Sequence, residues 1–504
     1  MLSAQSMSAK TDPLRPAIAR AVGHPVRPTR PRSWTRIIWA YLLGATMLTT
    51  LIAVDVDTAI AAVAAGGVMV LLFGWFARLE SLFLALILVL PFDGVKLGGV
   101  LSLSNALLFV ILVKGGAEIA TGSRRLLPSP VLLPLAVFSL AVAASCIGAT
   151  DLAWSIRLSF TIFGGIGIVI VALSICDRPE SLYRAVMAVF LSGVFVAIVG
   201  LVQMLVWLTT GRFMFPGQRE FGLVNYGIEV THLAGMFESE SIAAIYLISS
   251  VVCALVFAFS PRVLGGRRCR ILAIVLLVAS LLTFSRAIFV TYAFGLPLVL
   301  LTARRRKRRW GFLLRISFVV IAVPVLLVGT WKTFEVVNGW NPVSTLGRLR
   351  IIRGALAAAA KHPFFGSGLA TTVVPQDWDV AERLSGSDFV LVEEDARDAH
   401  NTYLDLLVDT GAVGLLSFLW LLWSVYRDAT LRPPPPTDRA CYTIVRRGLI
   451  GAFVLTFICI TLQGVWGVKA IWLIMGLAAA VGRVNRVVVT PMPLTTRVAT
   501  AATR

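Results

Sequence analysis

Ala185-Val186-Met187-Ala188-Val189-Phe190-Leu191-Ser192-Gly193-Val194-Phe195-Val196-Ala197-Ile198-Val199-Gly200-Leu201-Val202-Gln203-Met204-Leu205-Val206-Trp207 runs without a single charged side chain. A helix that crosses the hydrocarbon of a bilayer needs about 20 mostly apolar residues. This run meets that length and is apolar on every face, the pattern of a helix with no water-facing side. Similar runs recur at 37–54, 59–77, 82–91, 101–113, 131–149, 158–175, 242–259, 271–283, 287–301, 313–329, 413–426, 449–462 and 468–481. The short runs 82–91 and 101–113 read either as two spans or as one broken or re-entrant unit. The fold class expected is an all-α polytopic membrane protein with about 12–14 transmembrane helices.

Composition agrees. Of 504 residues, 58% are hydrophobic and 14% charged, and mean hydropathy is +0.85, where soluble domains carry about a quarter charged residues. The net charge of +20 suggests nucleic acid at first sight. The cations, however, cluster in short loops at 262–270, 304–309 and 427–447, as orientation signals do; no nucleic-acid partner is expected. The six cysteines lie in spans or basic loops without ligand spacing, so neither a disulfide nor a structural metal is expected.

Residues 1–33 read as a disordered basic cytoplasmic tail, and 37–54 as an uncleaved anchor. Alternating spans from there puts every strongly basic loop, and the tail at 484–504, on the cytoplasmic side with both termini. Transmembrane helices fill 34–329 and 412–483. Two loops then face outward, a shorter one at 209–241 and a long one at 330–411. Loops this long are usually functional. In the longer one, Ser344 or Thr345 can cap a helix that carries Arg348, Arg350, Arg353 and an Ala-rich stretch to Lys361, ended by Pro363 and Gly366-Ser367-Gly368.

The residues with chemistry collect in these outer parts. His400, one of four histidines, stands at the edge of a span. It fits a structural histidine, or a general base that takes a proton from a hydroxyl near pH 7. Asp398 is close enough to orient it, and Asn401 to hold a hydroxyl or carbonyl. Gly411 and Gly414 suit a tight entry to the next helix. Arg286 falls between two apolar runs, where an arginine either snorkels or meets an anion. Arg348 offers a guanidinium fork suited to phosphate or pyrophosphate; Arg350 and Arg353 lie on other sides of the helix. Glu238 and Glu240 begin a span and fit helix capping or acceptor binding. Arg219 and His232 are weaker candidates in the same outer loop, and Arg157 fits an anion contact or an interface anchor. No Gly-rich nucleotide loop, zinc-protease motif or hydrolase elbow is present.

At these residues the chain resembles the O-antigen ligase and O-antigen polymerase superfamily of bacterial envelope proteins. The likeness rests on His400-Asn401 followed by Gly411-Ala412-Val413-Gly414, on Gly347-Arg348-Leu349 through Pro363-Phe364-Phe365-Gly366-Ser367-Gly368, on Thr283-Phe284-Ser285-Arg286, and on Gly235-Met236-Phe237. It covers about 235–422. Two positions depart: Ile352 stands where the family often has Trp, and Glu238-Ser239-Glu240-Ser241 where it often has Pro-Asn or Glu-Pro. The resemblance implies an enzyme of the bacterial inner membrane whose outer loops are periplasmic. It implies an inverting, metal-independent glycosyl transfer, without a cofactor. The donor would be a glycan on undecaprenyl pyrophosphate, the acceptor a glycan or glycolipid hydroxyl. His400 would be the base, and Arg286 and Arg348 would hold the pyrophosphate. Membrane lipids, and polysaccharide export or chain-length proteins, are the further partners implied. Polymerisation of O-antigen or exopolysaccharide repeats is the reading preferred, ligation to lipid A core the alternative. A transporter or flippase of lipid-linked sugar is the non-enzymatic alternative.

Overall fold

The computed structural model describes residues 77–93, 96–97, 101–124, 128–149, 152–211, 220–223, 228–231, 233–237, 239–258, 266–295, 343–369, 399, 401–431 and 439–489, with a few side chains inside these elements left out. The candidate spans 37–54, 59–77 (but for its last residue) and 313–329 lie outside the described residues, as do residues 296–301 of the span 287–301. The chain is an all-α polytopic membrane protein. Its helices are α1 (Leu79–Val89), α2 (Leu103–Ala120), α3 (Leu132–Ile147), α4 (Leu152–Ile175), α5 (Pro179–Thr210), α6 (Glu240–Ala258), α7 (Gly266–Leu281), α8 (Arg286–Val290), α9 (Val343–Lys361), α10 (Thr402–Leu431), α11 (Arg439–Cys459) and α12 (Lys469–Val489). Among the described residues two small antiparallel hairpins interrupt them, β1 (Lys96–Leu97) with β2 (Leu101–Ser102) and β3 (Glu220–Leu223) with β4 (Ile228–Thr231). Among the described residues, five stretches are long and apolar enough to cross a membrane: α2, α4, α5, α10 and Tyr442–Leu462, which spans most of α11 and the turn after it.

Local sequence explains the helix ends. Pro179 opens α5 at its first helical position, where its missing N–H costs nothing. Gly211 closes α5 at φ 64°, the left-handed cap. The 32 residues of α5 rise about 1.5 Å each, more than the about 30 Å of bilayer hydrocarbon. That is why the helix outruns the apolar stretch 185–207. The runs 82–91 and 101–113 are two separate helices, α1 and α2, joined through β1 and β2. Ser102 caps α2 by accepting from the Asn105 amide (3.2 Å).

The core forms around α12, which packs on α4, α10 and α11. Trp472 is fully buried. Its indole N–H donates to the Trp466 carbonyl (2.9 Å), so the ring is buried without a lost hydrogen bond. Phe138 and Phe418 meet it at 5.9 and 6.3 Å. Gly165 makes the contact possible: a Cβ there would lie 2.3 Å from the Trp472 ring. Gly476 brings α12 onto the α4 backbone in the same way, with Val169 Cα 3.0 Å from its notional Cβ. Small residues at helix crossings supply the close packing that membrane bundles depend on.

The two ends of the bundle differ. One is basic and ion-paired. Arg184 meets Glu80 (2.8 Å), and Arg124 meets Glu118 (3.0 Å) and the Ser174 carbonyl (2.9 Å). Arg446 ties off the last carbonyls of α10 at Ala429 (2.9 Å) and Thr430 (2.6 Å). Arg486 grips both oxygens of Asp428 at 2.7 Å. The opposite end holds the C-terminus of α7, the short α8, the start of α10 and the turn between α11 and α12.

Candidate functional site

At that opposite end, α7 finishes in a strained corner. The Thr283 hydroxyl donates to the Ser280 carbonyl (2.7 Å), and Phe284 takes φ 49°. Among the described residues Phe284 is the one non-glycine residue at positive φ. A bulky residue there costs about 1–3 kcal/mol and persists only where its surroundings fix it. The corner turns the chain so that Ser285 precedes α8 and Arg286 becomes its first residue. A π-helical turn, Thr291–Gly295, follows, a feature frequent at functional sites.

Ser285 is buried, and its hydroxyl accepts from the Gln463 side-chain amide (2.8 Å). The Gln463 main-chain carbonyl accepts from the Thr402 amide (3.0 Å) and the Thr402 hydroxyl (2.6 Å). That hydroxyl accepts in turn from Val465 N (3.1 Å). The Ser-Arg step and the His-Asn step are thereby joined through one residue in the turn before α12. Sequence reading missed Gln463. Its only signal there is an amide side chain at the end of an apolar run.

The start of α10 is fixed residue by residue. Asn401 Oδ1 accepts from the amides of Tyr403 (3.0 Å) and Leu404 (3.1 Å), so Asn401 is the helix N-cap. Asp405 Oδ1 accepts from Ala399 N (2.8 Å). The residues on both sides of position 400 are therefore tied down. His400 and Asp398 lie outside the described residues, as do Arg219 and Glu238. Arg286 and Arg348 lie in described helices, but their side chains are outside the described set.

The outer-loop helix α9 packs on α10. Ala355 and Ala359 form a buried cluster with Ala399 and Val408, flanked by Leu404 and Leu407. Position 348 precedes Ala355 by one heptad and so shares its stripe; positions 350 and 353 do not. Arg353 is exposed. α9 starts at Val343, so Ser344 and Thr345 lie in its first turn rather than ahead of it. The turn after α9 interlocks with a kink in α10 at Gly411 (φ 66°, ψ −170°). Ser367 N and Gly368 N donate to the carbonyls of Val408 (2.9 Å) and Asp409 (3.3 Å), and Ala412 N donates to Pro363 O (2.8 Å). A Cβ on Gly366 would lie 2.3 Å from the Asp409 carbonyl, and one on Gly411 2.3 Å from that of Phe364. Each glycine admits the other segment's backbone, so both act in packing.

The remaining candidates lie on other elements. Arg157 is exposed, its guanidinium 5.5 Å from the Trp154 ring centre, a contact suited to the membrane interface. Its neighbour Ser155 anchors the turn after α9 by donating to the Leu369 carbonyl (2.8 Å). Glu240 is half-buried in the first turn of α6, where the Ser239 hydroxyl accepts from Ile242 N (3.3 Å). A carboxylate there is favourable to the helix dipole. Gly235, at φ 63°, is held by Gln203, whose amide donates to its carbonyl (2.5 Å). Leu233 N donates to Leu282 O (3.1 Å), bringing this turn to the end of α7.

A charged network also occupies this end. Lys469 Nζ lies 2.6 Å from Asp93 Oδ1 and 2.7 Å from Ser104 Oγ, and Ser102 and Ser104 donate to the same carboxylate oxygen. Burial raises the Asp93 pKa, but the Lys469 ammonium and the two hydroxyls outweigh it and hold the carboxyl below its ordinary range.

Residues 271–419 match the family described as O-antigen ligase. The matched segment runs from α7 into α10 and takes in Arg286, Arg348, His400 and both interlocking glycine motifs. It leaves out Gln463 and Lys469. A likeness to the O-antigen ligase family over this segment supports glycosyl transfer of the ligase or polymerase type. No curated protein matches the chain.

Proposed function

We propose that this protein transfers a glycan from undecaprenyl pyrophosphate to an acceptor sugar hydroxyl, at the membrane face opposite its basic end. By the distribution of its cations the basic end faces the cytoplasm of a bacterial inner membrane. His400 takes the proton of the acceptor hydroxyl. The freed oxygen attacks the anomeric carbon as the bond to the pyrophosphate oxygen breaks, with inversion. Undecaprenyl pyrophosphate leaves with the electron pair, its added charge met by Arg286 and Arg348 without a metal. Base catalysis of this kind is worth about 10²–10⁴-fold. The observation that carries the reading is the Ser285–Gln463–Thr402 link, which ties the segment bearing Arg286 to the segment bearing His400. Asp398, Arg219 and Glu238 stay with the site as supporting groups.

Polymerisation of surface-polysaccharide repeats is the form proposed, because Glu238-Ser239-Glu240-Ser241 departs from the family's Pro-Asn form. The second reading is transfer to lipid A core, which draws on the word ligase in the description of the matched family. Purified protein in proteoliposomes, given lipid-linked repeats with and without lipid A core, separates them. Lengthening of the lipid-linked glycan alone means polymerase. Transfer only when core is present means ligase. No new glycosidic bond in either case would refute both.

A further inference from the structure

We propose that Gln463 is the positioning residue that sets the spacing between the pyrophosphate-binding step at Arg286 and the base-bearing segment at His400; this rests on the glycosyl transfer proposed above. Gln463 touches neither reactant in this account. It holds the two segments by different groups. Its side-chain amide takes Ser285 at 2.8 Å, and its main-chain carbonyl takes Thr402 at 3.0 Å through N and 2.6 Å through Oγ1. All three residues are buried, with exposures of 5% for Gln463, 7% for Ser285 and 0% for Thr402. A polar pair buried in a bundle is held to its geometry because neither partner has water to turn to. The two contacts are in series: Ser285 to Gln463, then Gln463 to Thr402. Breaking either uncouples Arg286 from His400, and breaking the second after the first uncouples nothing more. An apolar residue of similar volume would fill the same space, so packing alone does not call for the amide.

The series arrangement gives a signature that a merely structural role lacks. Gln463→Leu removes the Ser285 contact and keeps the main-chain contact to Thr402. Thr402→Val removes the hydroxyl contact and keeps the amide. Misplacing reacting groups by about 1 Å costs about 10²-fold in rate. Arg286 on α8 and Arg348 on α9 each keep their own donor contact, so the larger loss should fall on kcat.

The test uses the full-length protein in proteoliposomes, with lipid-linked glycan extracted from cells that lack this chain as donor. Activity is normalised to folded protein from a thermal unfolding curve. Gln463→Leu is expected to lower kcat by about 10–100-fold and Thr402→Val, which keeps its amide bond to Gln463, by less, each with donor KM within about threefold, and the double variant to be no slower than Gln463→Leu. An unchanged kcat per folded molecule, or single losses that multiply in the double variant, overturns the positioning role and leaves the glycosyl transfer standing. Wild-type protein that transfers nothing, with His400→Ala indistinguishable from it, overturns the transfer itself and this role with it.

Discussion

Gly411→Ala should detach the turn after α9 from the membrane bundle. Gly411 combines φ 66° with ψ −170°, a region almost confined to glycine; an alanine forced into it costs about 1–3 kcal/mol. The added methyl would lie 2.3 Å from the Phe364 carbonyl carbon and 2.5 Å from Phe365 N. Those are main-chain atoms and cannot rotate away, so the turn must move. Moving it breaks the hydrogen bonds from Ala412 N to Pro363 O (2.8 Å) and from Val413 N to Phe364 O (3.2 Å), worth about 0.5–1.5 kcal/mol each. The local loss is then about 2–6 kcal/mol, summed from these ranges. Limited proteolysis of the detergent-solubilised protein reads it as faster cleavage near 362–368, and glycan transfer should fall with it. Gly116→Ala is the control, because its Cβ meets nothing within 4 Å. Cleavage of Gly411→Ala at the rate of wild type and of this control would refute the interlocked-glycine account.

Other outcomes follow from the same contacts. Asn401→Ala should cost about 1 kcal/mol of stability at the start of α10 and Asn401→Ser far less, as cap residues do; exchange at the Tyr403 and Leu404 amides distinguishes them. Lys469→Met should lower the unfolding midpoint more than the double variant with Asp93→Leu, because the single change strands a half-buried carboxylate (32% exposed). The Asp93 pKa is lowered by folding, so its stabilising contribution is complete above the ordinary carboxylate range and is lost as pH falls through the lower folded value; an acid titration of unfolding should lose that slope in Asp93→Asn. Gly165→Ala should separate α4 from α12 at Trp472 and cut the yield of folded protein, read by monodisperse recovery in detergent.

Much of the fold is written in local hydropathy, which is why 185–207 and 131–149 each meet a helix. The ends are not. α7 begins at Gly266, inside a basic loop, and α10 at Thr402, ahead of the apolar run that starts at 413. Helices continue past the hydrocarbon wherever caps and buried polar groups support them, and hydropathy does not register Asn401 or Asp405 doing so. The site divides the same way. The His-Asn, Ser-Arg and glycine motifs are short-range patterns and stand out on inspection. The partners that join them do not: Ser285 and Gln463 are 178 residues apart, and Asp93 and Lys469 are 376 apart. Gly411 was legible as a tight entry, but its reciprocal fit with Gly366 needed both backbones in place.

The most direct test of the central claim is His400→Ala expressed in cells lacking the native copy, at matched membrane level, with lipid-linked and finished surface glycans profiled side by side. The account predicts lost long-chain polysaccharide and an accumulated lipid-linked donor. Normal polysaccharide at normal protein level would contradict it.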